Sequence, residues 1–214
     1  YGIKKNPPLI AVENNPVGSY KRTFDIPANW MKQQVVLYFG GVASAFYVWV
    51  NGEMVGYSQD SKTPSEFDIT PYIKAGKNEI SVQVFKFSDG YYLEDQDYWR
   101  FAGIQRDVFV YARPKTHIRD FEVVTDLDKD YKDAVLDVYA EVGKAKGAKN
   151  GKVELKAELM DLSGKSIYSE KKALAAGSNE IHFSKEITAP ALWSAEKPNL
   201  YRLLMTLTVN GKAE

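Results

Sequence analysis

The sequence predicts an all-β fold built as two consecutive antiparallel β-sandwiches. Three observations carry that expectation. Apolar and polar residues alternate with a period of two through most of the chain, no segment sustains a 3.6-residue period, and the alternating runs are short and separated by turn residues. Aromatic residues then divide the chain: 21 of its 28 Phe, Trp and Tyr precede Pro114, and the later part is rich in Lys and Ala. With 214 residues there is room for two small cores, and the composition shift at Ala112-Arg113-Pro114-Lys115 predicts domains over 1–113 and 114–214.

In the first domain Tyr20, Arg22, Phe24 and Ile26 fall on one face of an opening strand. Val35–Phe39 and Phe46–Val50 are apolar strands, and Asn51-Gly52 turns the second into Met54–Tyr57. Glu79–Phe87 alternates again, and Asp107–Tyr111 closes the domain. Pro27–Met31 predicts one helical turn around Trp30. Thr70–Gly76 predicts another, with Thr70 as N-cap, Pro71 at the first helical position and Gly76 as its stop.

Six strands are expected in the second domain: Ile118–Asp126, Ala134–Val142, Lys152–Met160, Ser166–Ala173, Glu180–Ile187 and Leu200–Val209. Gly143–Gly151 reads as a loop and Leu162-Ser163-Gly164-Lys165 as a turn. Asn210-Gly211-Lys212 reads as a hairpin turn whose return strand never arrives. Tyr1 is not a natural start, so the chain is expected to be a piece of a longer one, with both sandwiches truncated at the chain ends.

Composition narrows the function. Lys+Arg and Asp+Glu each number 28, and the balance holds on both sides of Pro114 at 12 against 12 and 16 against 16. Neither half carries the positive field that binding to nucleic-acid phosphates needs. The apolar runs are too short to cross a bilayer. The absence of cysteine removes disulfides, thiolate metal sites and cysteine nucleophiles. His117 and His182 lack metal spacing and stand near no glycine-framed serine, so both are expected as surface or edge histidines.

The densest polar-aromatic segment is Ser88–Arg100, in which Glu94, Asp95 and Asp97 are interleaved with Tyr91, Tyr92, Tyr98 and Trp99. Carboxylates accept hydrogen bonds from paired hydroxyls and aromatic faces cover the C–H side of a pyranose, so the segment fits a sugar site. The competing expectation is an acidic loop paired with Arg100 and Arg106, its aromatics in the core. A retaining glycosidase needs two carboxyl groups about 5–5.5 Å apart across the scissile bond. Carboxylates this close in sequence point to opposite strand faces, so no catalytic residue is assigned. Trp193 is expected to anchor the loop before the last strand and fill the sandwich end.

Several blocks resemble glycoside hydrolase family 2: Asn15–Tyr20, Gly41–Phe46, Trp49-Val50-Asn51-Gly52 and Gly103–Val108. Val55–Ser61, Pro64–Asp68 and Leu93–Arg100 are similar to the large bacterial β-galactosidases of that family, and Pro190–Tyr201 resembles the late part of its immunoglobulin-like domain. The resemblance implies a jelly-roll (galactose-binding-like) sandwich, then an immunoglobulin-like sandwich, then a catalytic (β/α)₈ barrel that would lie beyond Glu214. It also implies retaining hydrolysis of β-galactosides, magnesium and sodium in the full-length enzyme, and a homo-oligomer. No cofactor is expected in this chain, no nucleic-acid or membrane partner, and either a bacterial cytoplasmic or a periplasmic setting.

By the Leu93–Trp99 match, the resemblance makes Asp97 both a substrate-binding residue and a metal ligand, reaching the galactosyl unit and the sodium ion. The family's other substrate-contacting residue in this domain, an asparagine, would fall upstream of Tyr1. Gln105 replaces a usual aromatic and Ala43 a usual polar residue, and the former implies an altered contact with the barrel or a neighbouring subunit. A freestanding carbohydrate-binding module, a sandwich pair serving as an oligomer interface, and the same domains from a β-glucuronidase or β-mannosidase are the alternatives.

Overall fold

The structure, a computed structural model, describes residues 6–11, 13–94, 99 and 101–214. The chain divides into two compact units, Tyr1–Arg113 and Pro114–Glu214. Each is an antiparallel β-sandwich, and the described residues include no α-helix.

The strands of the first unit are β1 (Val17–Ile26), β2 (Gln34–Phe39), β3 (Val42–Ala43), β4 (Ala45–Val50), β5 (Glu53–Gln59), β6 (Ser65–Asp68), β7 (Gly76–Phe85), β8 (Gly103–Ile104) and β9 (Val108–Arg113). One sheet has the order β1-β7-β4-β5 and the other β6-β2-β9, while β3 and β8 form a short separate ladder. Period-two alternation aims Val35, Leu37 and Phe39 of β2 at Phe46, Val48 and Val50 of β4 and at Ile80, Val82 and Val84 of β7. Each enclosed side chain of this size stabilises the fold by about 1.5–3 kcal/mol relative to exposure. Phe39, Phe46 and Phe67 complete this core with centroids 4.8–6.0 Å apart.

Asn51-Gly52 makes the expected two-residue turn, with φ of +52° and +87°. The turn around Trp30 is a 3₁₀ segment, Ala28–Lys32. The second helical expectation needs correction. The 3₁₀ segment is only Thr70–Tyr72, its cap position is Ile69, and Gly76 opens β7 instead of closing a helix. The Thr70 hydroxyl is occupied elsewhere, accepting the Val35 N–H at 2.8 Å. Strands β3, β6 and β8 were not predicted from the alternation.

On one side the sandwich is open. Among the described residues β1 pairs only with β7, and β9 only with β2. Between these two edges lies a groove of about 810 Å³ whose walls include Tyr20, Phe24, Trp30, Val82, Ile104 and Val110. The predicted β1 face therefore points inward, but only Ile26 is buried and Phe24 half-buried.

The second unit comprises β10 (Thr116–Leu127), β11 (Ala134–Lys144), β12 (Val153–Met160), β13 (Ser166–Ala173), β14 (Glu180–Ile187), β15 (Arg202–Val209) and β16 (Lys212–Ala213). Its sheets have the orders β10-β11-β14 and β13-β12-β15-β16. Leu136, Val138, Leu155, Phe183 and Leu207 lie at the centre of its core. The Asn210-Gly211 turn does have a return strand: Thr208 and Val209 pair with Ala213 and Lys212. Positive φ at both turn residues, +51° and +78°, supplies the twist that a two-residue hairpin needs.

Trp193 departs from expectation. Its ring is 63% exposed and does not fill the sandwich end. The loop is held instead by polar groups, with the Asn199 amide donating to the Leu192 carbonyl at 2.8 Å and the Ala191 N–H donating to the Tyr201 hydroxyl at 2.6 Å.

Candidate functional site

The polar-aromatic segment leaves β7 at its C-terminal end. Phe87 is buried, and the Asn15 amide brackets its backbone, accepting its N–H at 3.0 Å and donating to its carbonyl at 2.9 Å. Asp89–Tyr92 then forms one 3₁₀ turn, closed by Leu93 N–H donating to the Gly90 carbonyl at 2.9 Å. Tyr91 packs edge-on against Phe87 with centroids 4.9 Å apart. The Tyr92 hydroxyl donates to the Leu9 carbonyl at 2.9 Å. These two aromatics are structural, as the competing reading expected.

The rest of the segment does not follow that reading. Arg106 donates to the Gly40 and Lys62 carbonyls, not to an acidic side chain among the described residues. Trp99 is 81% and Phe101 69% exposed, and their rings stack with centroids 6.3 Å apart. Asp97, the residue assigned to substrate and sodium, lies outside the described residues, as do Asp95, Tyr98 and Arg100.

Glu94 is the described carboxylate of the segment, and its role is local. One oxygen accepts the Ser61 N–H at 2.8 Å, and the other the Ser61 hydroxyl at 2.5 Å. Beside this pair is a pocket of about 30 Å³ walled by residues including Ser44, Lys62, Lys86 and Phe101. That is room for about one water, not for a sugar ring. Residue-level reading had missed Ser61. The turn chemistry of Asp60-Ser61-Lys62-Thr63 was legible, but a partner 33 residues away was not.

Both histidines are placed as expected. His117 sits near the start of β10, with Nδ1 3.0 Å from the Pro114 carbonyl oxygen. His182 lies on β14, an edge strand, stacked on Tyr139 at 4.2 Å and with Nε2 2.7 Å from Asp137. The Asp137 carboxyl is held below its ordinary range by hydrogen bonds from Ser184 and then His182. Here the serine bonds the aspartate, not the imidazole, so the trio lacks the nucleophile–base contact of a hydrolytic triad. No group of three or more His, Asp or Glu converges as a metal site among the described residues.

The two sandwiches and a partly exposed acidic-aromatic loop define a class: accessory β-domains of a sugar-acting protein, without an acid–nucleophile pair among their described residues. Residues 1–114 match glycosyl hydrolases family 2, sugar binding domain, and residues 116–214 match glycosyl hydrolases family 2. The chain belongs to glycoside hydrolase family 2. It is 43% identical over 204 residues to a β-galactosidase of Priestia megaterium, a match covering 94% of this chain and 20% of that protein. It is 45% identical over 212 residues to a β-galactosidase of Clostridium acetobutylicum, covering 96% and 22% respectively. The chain thus spans about a fifth of the length of these relatives.

Among solved structures, Bacteroides uniformis β-glucuronidase 2, covalently bound to cyclophellitol-6-carboxylate aziridine, superposes with a TM-score of 0.80 at 26% identity. It covers 93% of this chain and 25% of its own. A β-glycosidase from Bacteroides vulgatus gives 0.74 at 27%, covering 92% and 24%.

Proposed function

We propose that this chain is the non-catalytic front part of a retaining β-galactosidase that hydrolyses terminal β-D-galactosides of the lactose type. The observation that carries this reading is the 43–45% identity to β-galactosidases along almost the whole chain, which occupies only 20–22% of their length. The catalytic glutamates then belong to a barrel elsewhere in the polypeptide. These sandwiches position it, Asp97 reaches the galactosyl unit, and the exposed Trp99–Phe101 pair supplies apolar surface for packing against it.

Magnesium and sodium serve the full-length enzyme in this reading. A hard cation takes oxygen donors, and the Asp97 carboxyl is of the right chemistry. With no converging donor set among the described residues, Asp97 is one ligand of a set completed outside this chain. The bound cation would fix the orientation of that carboxylate and of a sugar hydroxyl. The full-length enzyme is a homo-oligomer in the same reading.

The test is Asp97→Asn in the full-length enzyme. Galactoside turnover and its sodium dependence should weaken together, and unchanged kinetics at both low and high sodium would refute the role. A β-glucuronidase is the second reading, favoured by the likeness to the Bacteroides uniformis enzyme at TM-score 0.80. The lower identity there, 26%, ranks it behind. Parallel assays of the full-length enzyme on an aryl β-galactoside and an aryl β-glucuronide separate the two.

A further inference from the structure

One turn holds both described flanks of the stretch that contains Asp97. The turn joins β5 to β6 and is closed on itself: Thr63 donates its hydroxyl to Asp60 at 2.7 Å, and the Lys62 N–H donates to the same carboxylate at 3.2 Å. Those bonds, the Thr63 hydroxyl foremost, hold the Asp60 carboxyl below its ordinary range. From this turn Ser61, only 3% exposed, gives its N–H and its hydroxyl to the two oxygens of Glu94. Its neighbour Lys62 donates from Nζ to the Gln105 side-chain oxygen at 3.2 Å, and the Gln105 amide donates onward to the Phe101 carbonyl at 3.0 Å. Consecutive residues of the turn therefore reach Glu94 on one side of 95–98 and Phe101 on the other.

We propose that the Ser61–Glu94 pair is a positioning device of the glycosidase site, setting where Asp97 meets the substrate, with the Lys62–Gln105 relay fixing the opposite flank. The inference rests on the reading of Asp97 given above. Both oxygens of Glu94 already accept donors from one residue, and ionised acceptors make the stronger hydrogen bonds. That occupancy makes Glu94 an anchor and not a proton carrier or a ligand. Asp97 is three residues from this anchor, and each residue spans at most about 3.6 Å. Release of the anchor lets the carboxylate shift by ångströms, and a misplacement of about 1 Å can cost on the order of a hundredfold in rate. Gln105 also acquires a role: its amide bridges the turn to the loop, which an aromatic side chain at that position does not do by hydrogen bonding.

The experiment uses the full-length enzyme with Glu94→Ala and Ser61→Ala, each alone and combined with Asp97→Asn. It measures kcat, KM for an aryl β-galactoside, the sodium concentration at half-activation, and the thermal midpoint. Removing a partner that orients a ligating carboxylate should raise KM and the sodium midpoint by about tenfold. In the Asp97→Asn background the same substitutions should add no further loss, a coupling that a general loss of stability would not produce.

Losses that multiply independently of Asp97, or wild-type KM and sodium response in Glu94→Ala, would overturn the proposal. If Asp97→Asn alone is silent, it is the reading of Asp97 that fails. If Asp97→Asn is impaired while Glu94→Ala is not, only the positioning role fails. Should Glu94→Ala not fold, Ser61→Ala, which deletes one hydroxyl, decides between these outcomes by the same criteria.

Discussion

Asn78 is a buried polar residue with its side-chain amide fully employed. At 2% exposure, its amide nitrogen donates to the Lys74 and Gly76 carbonyls, and its oxygen accepts from the Lys74 N–H and the Asn51 amide. Asn51 in turn accepts the Glu79 N–H, so the β4–β5 turn is tied to the start of β7. Asn78→Ala strands several of these groups without water and should destabilise the first unit by about 3 kcal/mol in chemical denaturation. Gly56 makes a steric case. A Cβ there would come within 2.9 Å of the Phe67 ring, which is itself packed against Phe39 and Phe46. Gly56→Ala should cost about 1–3 kcal/mol through overpacking, and a wild-type denaturation midpoint would contradict that.

At the scale of strands, the second sandwich carries its charge on solvent faces. Glu154 of β12 is paired with Lys152 at 2.8 Å and with Lys171 of β13 at 2.9 Å, and these partners, Lys152 first, hold its carboxyl below the ordinary range. Asp137 and Glu158 are held low as well, Glu158 first by Lys156. A carboxyl with a depressed folded pKa contributes stability above its unfolded value, near pH 4, and loses it as pH falls toward the folded value. The melting midpoint of the second unit should therefore drop between about pH 5 and about pH 3, and Lys171→Met should make the drop shallower. A midpoint flat across that window would contradict the assignment.

Strand content was the readily legible part of the molecule. β2, β4, β11 and β12 alternate cleanly because both units bury one face of each sheet. The two-residue β3 and β8 were invisible, since two residues hold no period and the pairing is long-range. Thr70 misled because its cap chemistry was satisfied across the sheet by Val35. The site was legible as a segment, through the clustering of acids and aromatics at 88–100. The Ser61–Glu94 bond within it depends on tertiary approach that no local pattern encodes.

On the scale of the whole molecule, two sandwiches of about a hundred residues each account for a fifth of the related β-galactosidases. Expressed alone, the chain should hydrolyse no aryl β-galactoside, and turnover that survives removal of contaminating enzyme would contradict its non-catalytic role. Galactose titration of the isolated chain by NMR should give no saturable shifts centred on residues 91–99. Such shifts would favour a freestanding binding module, for which the exposed Trp99–Phe101 pair would be the platform. The most direct measurement is a crystal structure of the complete enzyme with a galactoside bound. The account predicts an Asp97 oxygen within about 3 Å of a sugar hydroxyl or of the sodium ion; an Asp97 carboxylate directed away from the occupied pocket would contradict it.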